Sequence, residues 1–229
     1  MEEAAMSEVQ IIAEGRTEKL FVDLILNPYC AERGVYLRSC TLIHKPGQNG
    51  GDVKFERVCR DVCQFLKQQK NLIVCSFVDY YGLKSWPGKE QIGVNNSPST
   101  IASLLNNAAV AGVKAALNAD WKSVDRYIPY TAVHEFEALL FSDSKILAQD
   151  LHIRQQLVDD LLAEFDTPEY INNSPQTAPS KRIEKWFPRY IKTVTGIEIA
   201  RKIGVEKMRK ACPLFDEWLE KLTRRVSAQ

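Results

Sequence analysis

Asn71 to Asp79 reads N-L-I-V-C-S-F-V-D. An apolar, β-branched run of this length, closed by an aspartate, is what a strand buried on both faces requires. Upstream of it, Phe55, Val58, Cys59, Val62 and Leu66 recur at i, i+3, i+4, i+7 and i+11. That spacing predicts one apolar helix face, with Asp52 as its cap. Lys45–Gly51, K-P-G-Q-N-G-G, is a loop by its turn formers. Val35–Ile43 reads as a second strand. Leu20, Phe21, Leu24 and Ile25 mark another helix face, and Glu8–Glu14 a first strand. Downstream, a polar loop runs from Lys84 to Ser97. Ser97-Pro98 then opens a helix with proline at its first position. Arg126–Val133 is a fourth strand, and His134–Phe141 begins a further helix.

The order βαβαβαβα predicts an α/β fold: a parallel or mostly parallel sheet with helices on both faces. After Asp143 the chain changes to short helices broken by polar or Pro-containing loops. Thr167–Arg182 is the clearest of those loops, and Gly204 and Pro213 punctuate the helical stretch Ile197–Leu222. We therefore expect an α/β core over 1–143 and a helical C-terminal extension over 144–229, packed on that core.

Apolar residues make up 45% of the chain and charged residues 26%, so disorder is not expected. No stretch approaches the roughly 18 consecutive apolar residues of a membrane span. The acidic N-terminus is not a signal peptide, so a cytoplasmic protein without membrane attachment is expected. Six cysteines without a CxxC pair argue for buried thiols rather than zinc. Net charge is +1, unlike a uniformly basic DNA-coating protein. Between Lys181 and Lys210, however, ten Lys/Arg face three Asp/Glu. An acidic body with a basic segment suits a site that holds metal with carboxylates and grips phosphate separately.

In open parallel sheets ligands bind beyond the carboxyl ends of the strands. Glu14, with Glu18 one turn later, follows the first strand. Asp79 ends the third, and the fourth runs into His134, Glu135 and Glu137. Carboxylates converging from three strand ends repel unless one protonates or a cation binds. Mg²⁺, or Mn²⁺ in its place, suits such hard oxygen ligands. Each residue also has a plainer role. Glu14 sits before a turn, Glu18 favours a helix N-terminus, Asp79 suits a loop turn, and His134 is more often an oriented imidazole than a ligand. Glu135 and Glu137 point to different sides of a regular helix, so one of them is expected to play a supporting part. Lys181 and Arg182, with Lys185, are candidates for holding phosphate. Trp186 and Tyr190 offer faces for bases, or anchors for the helices.

The stretches I-I-A-E-G-R-T-E-K-L-F-V (Ile11–Val22), V-D-Y-Y-G-L (Val78–Leu83), H-E-F-E-A-L-L-F-S-D (His134–Asp143), A-P-S-K-R (Ala178–Arg182) and Gly196–Trp218 together resemble the bacterial Toprim-like family catalogued as domain of unknown function 4276. The Toprim superfamily includes topoisomerases, primases and nucleases of the overcoming-lysogenization-defect type. The resemblance implies a glutamate after the first strand, matched by Glu14, and an Asp-x-Asp after the third. Asp79 matches its first aspartate. Tyr81 replaces the second, and a phenol is a poor Mg²⁺ ligand near neutral pH. Glu135 or Glu137 is then the candidate for the missing carboxylate.

A Mg²⁺-dependent nuclease acting on DNA or RNA follows as the first expectation, in a bacterial defence or DNA-processing setting. Its metal residues would be Glu14, Glu18, Asp79, Glu135 and Glu137, with Lys181 assisting catalysis. The alternative is a regulatory, non-catalytic partner of an ATPase of the ABC or overcoming-lysogenization-defect type. The chain itself has no GxxxxGK[ST] loop for ATP.

Overall fold

The computed structural model describes residues 8–43, 53–93, 95–133, 135–171 and 176–228. The expected loop Lys45–Gly51, the expected cap Asp52, His134 and part of the loop Thr167–Arg182 lie outside these residues.

Four strands cross the molecule side by side: β1 (Glu8–Ala13), β2 (Tyr36–Leu37) continued by β3 (Thr41–Leu42), β5 (Leu72–Asp79) and β7 (Tyr127–Ala132). All their pairings are parallel, and the order is β2/β3–β1–β5–β7. The expected second strand is thus two short pieces on one edge of β1. Side chains interrupt the ladder between them. Gln10 Nε2 donates to the carbonyl of Ser39 (3.1 Å), and Asp23 Oδ1 accepts the N–H of Cys40 (2.7 Å). The polar loop after Asp79 also holds a short strand, β6 (Leu83–Ser85), which pairs in parallel with β4 (Val53–Lys54) in a separate two-stranded sheet.

Side-chain alternation sends Val9, Ile11 and Ala13, then Ile73, Cys75 and Phe77, then Ile128, Tyr130 and Ala132 to one face. Ile12, Leu72, Val74, Val78 and Tyr127 go to the other. Two helices cover the second face. In α3 (Phe55–Gln68) the buried residues are Val58, Cys59, Val62, Cys63 and Leu66. In α4 (Pro98–Leu117) the hydroxyl of Ser97 caps Thr100 N at 3.2 Å. By length and composition α4 is apolar enough to cross a membrane, although Ser, Asn and Lys interrupt its apolar residues as the sequence shows. Here it packs on α3 and β7 through Ala102, Leu105, Ala109, Val113 and Leu117.

The first face is covered from both ends of the chain. After β1 come α1 (Arg16–Phe21), a π-helical turn Val22–Leu26 and α2 (Asn27–Ala31). Phe21 and Ile25 are buried there, but Leu24, expected on the same face, is exposed because the wider turn rotates it outward. The remaining helices are α5 (Ser144–Leu151), α6 (Gln155–Leu162), α7 (Pro179–Trp186), α8 (Ile197–Ile203), α9 (Val205–Ala211) and α10 (Pro213–Ser227). The last three are punctuated by Gly204 and Pro213, as their sequence predicts. Trp218 of α10 stacks on Tyr130 with ring centroids 4.8 Å apart, and Phe215 lies 6.0 Å from Phe21. The helices after Asp143 therefore share the sheet's own core. Buried Glu169 joins them by accepting the N–H groups of Leu214 (2.8 Å) and Phe215 (3.0 Å) at the start of α10.

The segment after β7 is not the expected α-helix but a 3₁₀ helix over Phe136–Ser142. Glu135 precedes it at φ 60°, ψ 159°, a region that residues with a Cβ rarely occupy.

Candidate carboxylate site at the sheet edge

The chain leaves β1 for the β2/β3 side and then crosses to β5 on the other side of β1. Beyond the carboxyl ends of β1 and β5 lies the topological switch point, where sheets of this kind open a crevice. Glu14 and Asp79 stand there. The ladder continues one bond past β1, from Glu14 N to Phe77 O at 3.0 Å. The Glu14 carboxylate then accepts the backbone N–H of Asp79 at 3.0 Å. It lies over Gly82, where any Cβ would overlap it. Asp79 in turn accepts the N–H of Tyr81 at 3.0 Å.

Glu18 is half-buried on α1 and bends back to the N–H groups of Gly15 and of its own residue. A Cβ on Gly15 would sit 2.7 Å from it. Glu135 arrives from β7 and accepts the N–H of Ser180 at the start of α7 (3.1 Å). Glu137 is buried beneath. Lys192 bridges the two glutamates: its Nζ is 3.0 Å from Glu137 and 3.8 Å from Glu135. The hydroxyl of Tyr190 donates to Glu137 at 3.3 Å.

Charge dominates this site. Burial holds Asp79 well above the usual carboxylate range, and the charges of Glu14, Glu135 and Glu18 add to that against the Tyr81 hydrogen bond. Burial, and then Glu14, also raise Glu18, opposed by its backbone bonds and by Lys192. Burial pushes Glu137 up to about 7, although Lys192 pulls the other way. Lys192 is itself raised, because Glu137 and Glu135 outweigh its burial. The buried pair thus shares its charge unevenly: Lys192 stays an ammonium, and Glu137 is the partner that takes up a proton first. Tyr81, two residues after Asp79, is half exposed beside the carboxylates. Burial, Tyr80, Asp79 and Glu135 push its phenol up to about 12.

The basic candidates from the sequence have partners of their own. Lys181 is on the first turn of α7 and pairs with Glu184 at 2.5 Å. Arg182 donates to Thr177 O at 2.8 Å, and Lys185 is exposed. Of the remaining basic segment, Lys202 pairs with Asp150, Lys207 with Asp143 and Arg209 with Asp216. Much of the local positive charge is therefore neutralised by the protein body. Lys192, which does face the carboxylates, stands out in the sequence only as one more cation in that run. Tyr190 and Gly82 likewise carry no local signal of their role.

Among the described residues, no three His, Cys, Asp or Glu side chains are gathered as a ready ligand set. A groove of about 660 Å³ opens away from this edge, against the first half of β7, and is lined by Asn106, Asn107, Lys221, Arg224 and Arg225. It holds no carboxylate, so it does not compete with the sheet edge as a place for acid or metal chemistry.

Over residues 13–223 the chain matches the family described as Domain of unknown function (DUF4276), and it belongs to that family. No curated protein and no solved structure matches it.

Proposed function

We propose that this family member hydrolyses phosphodiester bonds of nucleic acid with Mg²⁺ or Mn²⁺ held at the switch point by one or two carboxylates from among Asp79, Glu14 and Glu135. One observation carries the proposal: Asp79 is crowded by three other carboxylates from separate elements, with Lys192 as the cation placed among them. Such crowding costs stability unless a cation relieves it. The donors fit the ion, being hard oxygens. Mg²⁺ keeps several waters and takes one or two protein carboxylates plus substrate phosphate, so a closed cage of three side chains is not required. The likeness to Toprim nucleases, with Glu14 and Asp79 at the matching positions, supports the same assignment.

When bound, the ion would neutralise charge on the phosphate and lower the pKa of a water. The chain's own groups do the rest. Glu14 is fixed by Asp79 N–H and by the space over Gly82. Glu135 is held at a strained backbone position by Ser180 and Lys192. Glu137 and Tyr190 aim Lys192, whose ammonium is the group to meet a phosphate oxygen, in place of Lys181.

Purified protein should cleave plasmid, linear duplex, single-stranded DNA or RNA with Mg²⁺ or Mn²⁺, and Asp79→Asn and Glu14→Gln should each abolish this. Cleavage that survives both substitutions together overturns the assignment.

A second reading has its own observation, Tyr81 in place of the expected second aspartate. In it the site binds metal without turnover, and the chain is a regulatory partner of an ATPase of the ABC or overcoming-lysogenization-defect type. Metal binding by clean, folded protein that cleaves none of these substrates favours that reading.

A further inference from the structure

Away from the carboxylates, α4 and α10 flank the first half of β7 and form the groove of about 660 Å³. Ile128 and Pro129 of β7 give it an apolar surface. α4 contributes the amides of Asn106 and Asn107, and α10 contributes Lys221, Arg224 and Arg225. We propose that this groove binds a nucleotide carrying two or three phosphates. The proposal does not depend on the reading of the sheet edge.

The charge is arranged for an anion. Lys221, Arg224 and Arg225 fall at i, i+3 and i+4, on one face of α10. All three are exposed, and no carboxylate lines the groove with them. Lys221 pairs with Glu217 at 2.7 Å and Arg224 with Glu220 at 2.6 Å, each one turn back on the same helix. Exposed pairs of this kind are weak and yield readily to a phosphate, which a guanidinium holds by two parallel hydrogen bonds. Arg225 has no ion pair among the described residues. The dipole of α10 accounts for arginines in its last turn, but not for the amides that share the groove with them.

The rest of the groove suits a base and its ribose. The Thr131 hydroxyl donates to Asn106 Oδ1 at 2.9 Å, which orients the carboxamide and leaves its NH₂ without a partner among the described residues. Asn107 is exposed beside it. Ile128 and Pro129 offer an apolar surface for a planar ring to cover, and the volume lies within the range of small-molecule sites.

Two larger occupants fit less well. An added peptide strand would need the outer edge of β7, and Pro129 removes an N–H from the middle of that strand. A narrow recess of about 70 Å³ shares Asn106, Pro129 and Lys221 with the groove, and Glu217 lines it. A nucleic-acid strand continuing on that side would bring its phosphates against this carboxylate.

Full-length folded protein is titrated with ATP, GTP, AMP, inorganic tripolyphosphate and a short oligonucleotide by isothermal calorimetry, in EDTA so that metal at the sheet edge plays no part. We expect a single site that binds the better of ATP and GTP at least about tenfold more tightly than AMP or tripolyphosphate. Arg224→Gln with Arg225→Gln, both at exposed positions where the fold is expected to persist, should weaken that nucleotide at least about tenfold. Asn107→Ala should weaken it several-fold. No binding of ATP or GTP, tripolyphosphate bound as tightly as either, an affinity unchanged in the double arginine variant, or binding of the oligonucleotide alone would each overturn the proposal.

Discussion

The carboxylate of Glu14 accepts the backbone N–H of Asp79 at 3.0 Å, so the two acidic residues at the switch point are tied together through the main chain of one and the side chain of the other. Gly82 leaves the space in which this happens. Gly82→Ala should push the Glu14 carboxylate off Asp79. The added methyl meets the far end of a flexible side chain, so the cost is mainly that of the lost hydrogen bond, about 0.5–1.5 kcal/mol. Urea unfolding of Gly82→Ala measures the loss, and stability equal to wild type would contradict the placement of Glu14.

Divalent metal should stabilise the folded chain. At a hundredfold excess over its dissociation constant, a ligand specific to the folded state adds about 2.7 kcal/mol. We expect Mg²⁺ or Mn²⁺ to raise the melting temperature of wild type, and the rise to vanish in Asp79→Asn. That variant should itself be at least as stable as wild type without metal, because it removes a crowded charge. Thermal melts with EDTA or metal check both halves.

Glu135 has a backbone conformation that strongly favours glycine. Substitution by Gly and by Ala removes the same contacts to Ser180 and Lys192, so comparing the two isolates the strain. Glu135→Gly should exceed Glu135→Ala in stability by about 1–3 kcal/mol. Equal unfolding free energies would show that no strain is stored there.

Glu137 and Glu169 are both raised to about 7, first by burial. Their ordinary value is 4.5. A carboxyl raised on folding favours the folded state fully below its unfolded pKa, and that contribution is lost as pH rises through the folded value. Without metal, stability from these two groups should therefore fall between about pH 5 and 8. Asp143, held low by Lys207 and the N–H of Ile146 despite some burial, acts in the opposite sense and loses its contribution only below that range. Urea midpoints across pH should decline toward pH 8 in wild type and flatten in the Glu137→Gln, Glu169→Gln double variant.

The α/β alternation, the parallel sheet with helices on both faces, and the placement of Glu14 and Asp79 at strand ends are all legible along the chain. So are the breaks at Gly204 and Pro213. These are local quantities. Apolar period sets helix or strand, turn formers set the breaks, and in a parallel sheet chain direction alone decides which residues reach the carboxyl edge.

Pairing, by contrast, is fixed only on folding. In the sequence Lys181 and Arg182 are the candidates for holding phosphate, and Lys192 only continues the same basic run. Folding gives Lys181 to Glu184, Arg182 to a carbonyl and Lys192 to the carboxylates. The split of the second strand likewise follows from Gln10 and Asp23 reaching across to Ser39 and Cys40. Ion pairs and side-chain-to-backbone bonds join residues far apart in the chain and act only over a few ångströms. Which partners meet is therefore settled when the layers pack, and no spacing along the chain records it.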